Sequence, residues 1–178
     1  NCMQRRSFIR NSSLGTVGFL SQPSFPFLED PLLGHNNKRY RIDTKWSKAD
    51  VATNPVNDCH EMVQDSKGRI ILLTNEVKNN VIIYDKAGKL LTTWGHEYPG
   101  AHGLTLFNEN GTEVLFICDN SRHQVIKTTL DGRVLMVLDY PKETGQYSKA
   151  AEFVPTETAI ARNGDIYVAD GYGKDFII

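Results

Sequence analysis

The stretch HGLTLFNENGTEVLFICDNSRHQVIKTTLDGRVLMVLD occupies residues 102–139. Its Asn-Gly at 110–111 and Asp-Gly at 131–132 are typical of tight β-hairpins, because glycine accepts the positive φ that such turns require. The runs between the turns, such as 114–118, are short and rich in branched and aromatic residues, which favours strands. No apolar position recurs at helical spacing over ten or more residues. The stretch therefore predicts four short antiparallel strands.

The same pattern occurs again on both sides of this stretch. Residues 60–95 form an earlier unit, and a further unit starts at 156 and continues to 178. The first turn glycines of the three units lie 43 and 53 residues apart, and the longer interval contains the insertion YPKETGQYSKAAEF at 140–153. Four-stranded repeats of this size are the blades of β-propellers. We therefore expect an all-β propeller, of which about two and a half blades are present.

A single blade cannot bury both of its faces, so it needs a neighbour on each side and closure of the ring. We therefore expect the chain to be the incomplete N-terminal part of a longer propeller. The partial propeller is predicted to span 59–178. It is preceded at 31–58 by a linker and a lead-in segment, in which residues 40–46 are predicted to form an edge strand.

Composition excludes several classes of partner and site. The chain has 20 basic and 21 acidic residues and a formal net charge of -1, so it carries no excess of positive charge for nucleic acid. Its three cysteines are widely spaced and contain no CxxC pair, which argues against a zinc knuckle or a disulfide scaffold. Cys118 lies in an apolar run and is predicted to be a buried hydrophobic residue.

The N-terminus is predicted to be a targeting signal rather than part of the fold. The string RRSFIR at 5–10 is followed by a weakly apolar stretch at 14–20, and residues 1–30 resemble a bacterial twin-arginine signal. The apolar stretch is far shorter than the roughly 20 residues that span a bilayer, so no membrane span is expected. This predicts export to the periplasm or the medium. The alternative is a basic amphipathic helix that contains an arginine pair by chance.

The repeats resemble NHL repeats, and three motifs resemble the peptidyl-α-hydroxyglycine α-amidating lyase, a six-bladed propeller. AHGL at 101–104 is similar to the family's P-H-G-L turn, with Ala in place of Pro. PTETA at 155–159 and VADGY at 168–172 are similar to its P-T-D-V-A and V-S-D-G-Y motifs, in the same order. The resemblance implies that His102 is a zinc ligand and that Tyr172 is the catalytic base acting on a substrate hydroxyl.

The repeat pattern itself places His60, His102 and Thr156 at one position, at the start of each blade's innermost strand and facing the central channel. Neutral imidazole is a good zinc ligand, and a catalytic zinc takes three protein ligands and keeps one open position. His102 and His60 are therefore candidate zinc ligands, although His60 has no secure counterpart in the family. The alternatives are a channel-lining histidine that only forms hydrogen bonds and, for Tyr172, a packing tyrosine.

Two classes of function follow. The first is a zinc-dependent lyase acting on a small-molecule or peptide-derived substrate, with Tyr172 accepting a proton. The second is a non-catalytic propeller that binds a protein or carbohydrate on its loop face. A calcium-dependent lactonase is a weaker third class, because hard oxygen ligands would be expected where His60 and His102 stand.

Overall fold

The computed structural model describes residues 32–178, and the predicted export signal at 1–30 lies outside them. Two compact units are separated after Ile42. In the first, Leu33 and Tyr40 form an isolated antiparallel bridge. None of the helices in residues 32–178 is long and apolar enough to cross a membrane.

The second unit is built from antiparallel strands that follow one another along the chain. Two four-stranded sheets have the orders β1-β2-β3-β4 and β5-β6-β7-β8, and β9 pairs with β10. The strands are β1 (Cys59–Gln64), β2 (Ile70–Thr74), β3 (Val81–Tyr84), β4 (Leu90–Trp94), β5 (Ala101–Glu109), β6 (Thr112–Asp119), β7 (Gln124–Thr129), β8 (Val134–Leu138), β9 (Glu157–Ile160) and β10 (Ile166–Ala169). The predicted all-β fold of four-stranded propeller blades is confirmed, with two whole blades and the first two strands of a third.

Strand β6 is buried on both faces and links the blades. Successive side chains of a strand point to opposite faces. Leu115 and Ile117 accordingly belong to an apolar cluster shared with the first blade. Phe116 and Cys118 belong to a second cluster, which includes Val168 of the third blade. The two clusters are the interfaces between successive blades, and the predicted burial of Cys118 is confirmed.

A buried aspartate ends the second strand of the second blade and directly follows the second strand of the third. Asp119 accepts hydrogen bonds from the backbone N–H groups of Ser121 and Arg122, at 2.9 and 2.8 Å. Asp170 accepts one from the backbone of Lys174 at 2.7 Å. Both carboxylates therefore order the turn that follows their strand.

The lead-in segment does not form the strand predicted over 40–46. The carboxylate of Asp43 accepts the backbone N–H of Lys45 at 2.9 Å, and the backbone N–H of Trp46 points back to the Asp43 carbonyl at 3.3 Å. A short polar side chain that bonds the backbone two residues on favours a turn over an extended strand. The prediction was wrong because this local turn competes with strand pairing.

Trp46 nevertheless repeats the role of a residue one blade later. Its indole N–H donates to the carbonyl of Lys86 at 3.1 Å, and that of Trp94 donates to the carbonyl of Leu130 at 3.0 Å. Each acceptor lies where the third strand of a blade turns into the fourth. The lead-in segment thus packs on the first blade as the end of the first blade packs on the second.

The outer strand of each complete blade carries one extra residue. Between β3 and β4 the pairing shifts so that Leu91 has no partner, and between β7 and β8 Leu135 is the unpaired residue. Both leucines are exposed. These are β-bulges, which bend a strand and increase its local twist.

Gly103 allows the innermost strands of the second and third blades to approach closely. A Cβ atom at this position would overlap the carbonyl oxygen of Thr156 and lie 2.9 Å from the Cα of Glu157. Both obstructing groups are backbone atoms, which cannot rotate away as a side chain can. The glycine therefore sets the distance between β5 and β9.

Replacing Gly103 by alanine is expected to destabilise the protein by about 1–3 kcal/mol, the usual range for overpacking. Urea denaturation checks this value. The control is Gly145→Asn, at a position with φ of 69° and nothing within 4 Å of an added Cβ. Because asparagine tolerates that backbone conformation, the control is expected to stay within about 0.5 kcal/mol. Equal stability of the two variants would contradict the packing role of Gly103.

Candidate functional site

Both candidate histidines lie near the start of an innermost strand, at a point where the strand pairing is interrupted. In β1 the register with β2 shifts between Cys59 and Glu61, so His60 has no partner residue. In β5 the register with β6 shifts between Ala101 and Leu104, which leaves His102 in the same situation. Such irregularities re-aim side chains and are common next to active sites. They release both histidines from the regular alternation of their strands.

The two imidazole rings lie against each other. The rings of His60 and His102 are stacked, with their centroids 4.0 Å apart and their planes inclined by 23°. His60 is exposed and His102 is half-buried. The histidine at the equivalent position of two successive blades is thus brought to one place, although 42 residues separate them in the sequence.

The ring of His102 is held by a backbone group of the next blade. Its Nδ1 lies 3.0 Å from the carbonyl oxygen of Thr156. A carbonyl oxygen only accepts, so Nδ1 is the donor, and in the neutral form of this tautomer the lone pair lies on Nε2. A ring fixed in this way through its other nitrogen is the usual state of a metal-binding histidine.

Tyr172 completes the group. Its hydroxyl lies 3.3 Å from Nε2 of His102, and the two rings meet edge to face with centroids 5.2 Å apart. The tyrosine follows β10 in the turn that begins at the buried Asp170, and its side chain is 65% exposed. The structure therefore brings together the three residues singled out by the sequence, namely His60, His102 and Tyr172. Their chemical roles remain predictions.

Two imidazoles are chemically suited to a borderline divalent cation such as zinc, but a catalytic zinc takes three protein ligands. The Nε2 lone pair of His102 is available once the Tyr172 hydroxyl turns away, and His60 stacks beside it. Among residues 32–178, no group of three or more His, Cys, Asp or Glu side chains converges as a metal site would require. His60 and His102 therefore remain predicted zinc ligands.

A pair of carboxyl groups next to the histidines was not singled out from the sequence. Glu61 follows His60, and Glu157 follows Thr156, so both occupy the repeat position directly after the one shared by His60, His102 and Thr156. Oε2 of Glu61 accepts the backbone N–H of Leu104 at 3.1 Å, which joins β1 to β5. Glu157 is close enough to Glu61 to contribute to its raised pKa. The signal that could have identified them is their shared position in the repeat.

Hydroxyl groups extend this pair into a network across three blades. Thr105 lies 2.9 Å from the Glu157 carboxylate, and its hydroxyl is 2.6 Å from that of Thr158. The backbone N–H of Thr158 donates to Glu157 at 2.7 Å. Burial, together with a hydrogen bond to Glu157, raises the pKa of Glu61 to about 7. Near neutral pH, Glu61 can therefore still hold a proton.

Comparison with known proteins supports the type of repeat. No protein-family model matches the chain. Human NHL repeat-containing protein 3 is 24% identical over 141 residues, which are 75% of this chain and 40% of that protein. This similarity supports the NHL type of the repeats. The chain spans less than half the length of this curated relative.

Among solved structures, a crystal structure of a protein of unknown function from Bacteroides caccae is similar to the chain. It is 14% identical, and the match covers 80% of this chain and 63% of that one with a TM-score of 0.37.

Glu61→Gln is expected to make the stability less dependent on pH. The folded state raises the pKa of Glu61 from 4.5 to about 7, so it binds this proton more tightly than the unfolded state does. The stabilisation is complete below pH 4.5 and is lost as the pH rises through about 7. Glutamine can still accept from Leu104 and donate to Glu157 without a proton to lose.

Thermal unfolding of the wild-type protein and the variant between about pH 5 and pH 8 checks this expectation. As the pH rises to about 7, the melting temperature of the wild type should fall more than that of Glu61→Gln. Glu143→Gln, at an exposed carboxyl, is the control and should follow the wild type. Parallel curves for wild type and Glu61→Gln would show that Glu61 is not protonated near neutral pH.

Proposed function

We propose that the protein is a metal-dependent lyase of the propeller type, which cleaves a small hydroxylated substrate of the peptidyl-α-hydroxyglycine class. The main support is one juxtaposition: His102, fixed through Nδ1 by the Thr156 carbonyl, presents Nε2 to the hydroxyl of Tyr172. His102, Thr156 and Tyr172 come from the three motifs that resemble the amidating lyase. The twin-arginine resemblance at 1–30 further supports a protein that works in the periplasm or outside the cell.

His102 and His60 are the residues that would hold the metal. A zinc ion, when bound, supplies Lewis-acid polarisation of a substrate oxygen. The Nε2 lone pair of His102 can serve either the Tyr172 hydroxyl or a metal ion, but not both at once. With Nε2 of His102 given to a metal, the Tyr172 hydroxyl would be free of His102 and could face a substrate.

Tyr172 is proposed to handle the proton of the substrate hydroxyl. When a carbinolamide is cleaved, the hydroxyl loses its proton and the C–O bond becomes a carbonyl. The C–N bond breaks, and the leaving nitrogen takes up a proton. A phenol at the site can accept the first proton as phenolate and can then return it to the nitrogen. Its exposed position leaves room for a substrate on the channel side.

His102→Ala in the full-length protein is expected to weaken zinc binding by more than the roughly 10- to 100-fold that follows loss of an outer partner of a ligand. The fold should persist, because the half-buried ring is absent from both apolar interfaces between blades. Metal analysis and zinc titration with circular dichroism check both points. His96→Ala, at an exposed histidine bonded to the Val77 carbonyl, is the control. Unchanged zinc affinity in a folded His102→Ala protein would remove the metal from the proposal.

Tyr172→Phe in the full-length protein is expected to lower turnover of an α-hydroxyglycine substrate by roughly a hundredfold or more, the usual size of an acid–base contribution. Zinc affinity should stay equal or rise, because the competing hydroxyl is gone. Tyr167→Phe, at an exposed tyrosine of β10, is the control. If the wild type binds a protein or carbohydrate partner and turns over no such substrate, the protein is a non-catalytic propeller.

A further inference from the structure

The insertion at 140–153 packs against the turn that carries Tyr172. It contains two short 3-10 helices, Lys142–Thr144 and Ala150–Glu152. Tyr147 and Phe153 are buried in the apolar cluster between the second and third blades, where their rings meet edge to face with centroids 5.5 Å apart. The insertion is therefore anchored in the core rather than looped out from the rim.

The carboxylate of Asp170 joins the insertion to the turn. Its Oδ2 accepts the hydroxyl of Tyr147 at 2.8 Å and the backbone N–H of Lys174 at 2.7 Å, while Oδ1 accepts the backbone N–H of Val154 at 2.7 Å. Asp170 is fully buried. Burial and the neighbouring carboxylate raise the pKa of Tyr147, which keeps its hydroxyl protonated as the donor. The Asp170 carboxylate thus bonds the insertion through Tyr147 and the Tyr172 turn through Lys174.

A second link joins the far side of the turn to the insertion. The ammonium of Lys174 lies 2.7 Å from the Glu152 carboxylate and donates to the carbonyl of Gln146 at 2.9 Å. The hydrogen bond from Lys174 lowers the pKa of Glu152 to about 2, so this ion pair persists in mild acid. Lys174 is two residues from Tyr172, and both links therefore act on the same short segment.

Gly173 makes this close contact possible. A Cβ atom there would overlap the Asp170 carboxylate and the carbonyl oxygen of Glu152. The residue directly after Tyr172 is thus pressed between the buried acid and the insertion.

We propose that the insertion is a brace for the Tyr172 turn, and that Tyr147 and Asp170 are positioning residues that hold the Tyr172 side chain beside the His102 ring. The catalytic consequence rests on the proposed function. The positional consequence does not, because it concerns only the contact between Tyr172 and His102.

Tyr147→Phe tests the brace, because it removes one hydroxyl and leaves the ring packed against Phe153. Three readouts are taken on the full-length protein: amide hydrogen exchange of Lys174, the imidazole nitrogen resonances of His102, and the kinetic constants. We expect the exchange of Lys174 to rise by roughly tenfold, as loss of a hydrogen bond to a charged group allows. The His102 resonances should move towards those of Tyr172→Phe. In an active enzyme, kcat should fall while KM changes little.

Tyr140→Phe is the matched control, since it removes a hydroxyl from another tyrosine of the insertion that packs on the same apolar cluster. It should leave all three readouts as in the wild type. Asp170→Asn, which turns one acceptor into a donor facing the Lys174 N–H, should exceed Tyr147→Phe in each readout. Combining Tyr147→Phe with Asp170→Asn should change the readouts little beyond Asp170→Asn alone, because both substitutions break the same contact.

The outcomes separate the brace from the lyase. Changed exchange and changed His102 resonances, in a protein without lyase turnover, would support the brace and count against the proposed function. Unchanged exchange and unchanged His102 resonances in Tyr147→Phe would overturn the brace, whether or not the wild type is active.

Discussion

The structure depends on the burial of both faces of β6. Side chains that alternate along this one strand supply apolar contacts to the first blade and to the third, with Ile117 on one side and Phe116 on the other. Burying a large apolar side chain contributes about 1.5–3 kcal/mol, so these residues together outweigh any single polar contact of the site. A strand that is covered on both faces reads as a continuous apolar run, as VLFIC does. Within the second blade, the innermost strand β5 lies on one side of β6, and β7 and β8 lie on the other.

The candidate site follows from how the blades are brought together at their inner ends. Packing at the interfaces sets β1, β5 and β9 side by side, and the breaks in pairing then turn His60 and His102 out of their strands. Polar groups collect where three strands meet, because backbone and carboxyl groups that lose water there need partners. The carboxyl pair and its threonines satisfy that need. The same crowding orders His102, whose ring is held by a backbone carbonyl of the neighbouring blade.

Much of this arrangement could be predicted from the sequence, and the reason is repetition. Turn glycines at regular intervals define the blades, and equal positions in successive blades place His60 beside His102 without any knowledge of distances. Tyr172 was found through a motif, as was the position of His102 within its turn. Contacts that join different repeat positions escaped prediction. Glu61 meets Glu157 across a whole intervening blade, and Tyr147 reaches Asp170 from an insertion that has no counterpart in the other blades. The lead-in strand was predicted wrongly for a local reason, the turn at Asp43.

The bulges in β4 and β8 have a consequence for the behaviour of the protein in concentrated solution. An outer strand as apolar as VLMVL, if straight, would offer an open edge on which another chain could add a strand and start a growing aggregate. The extra residue, Leu91 in one blade and Leu135 in the next, breaks the even spacing of hydrogen-bonding groups that such templated growth needs. The two complete blades can therefore expose leucines on their outer strands with a lower tendency to template strand addition.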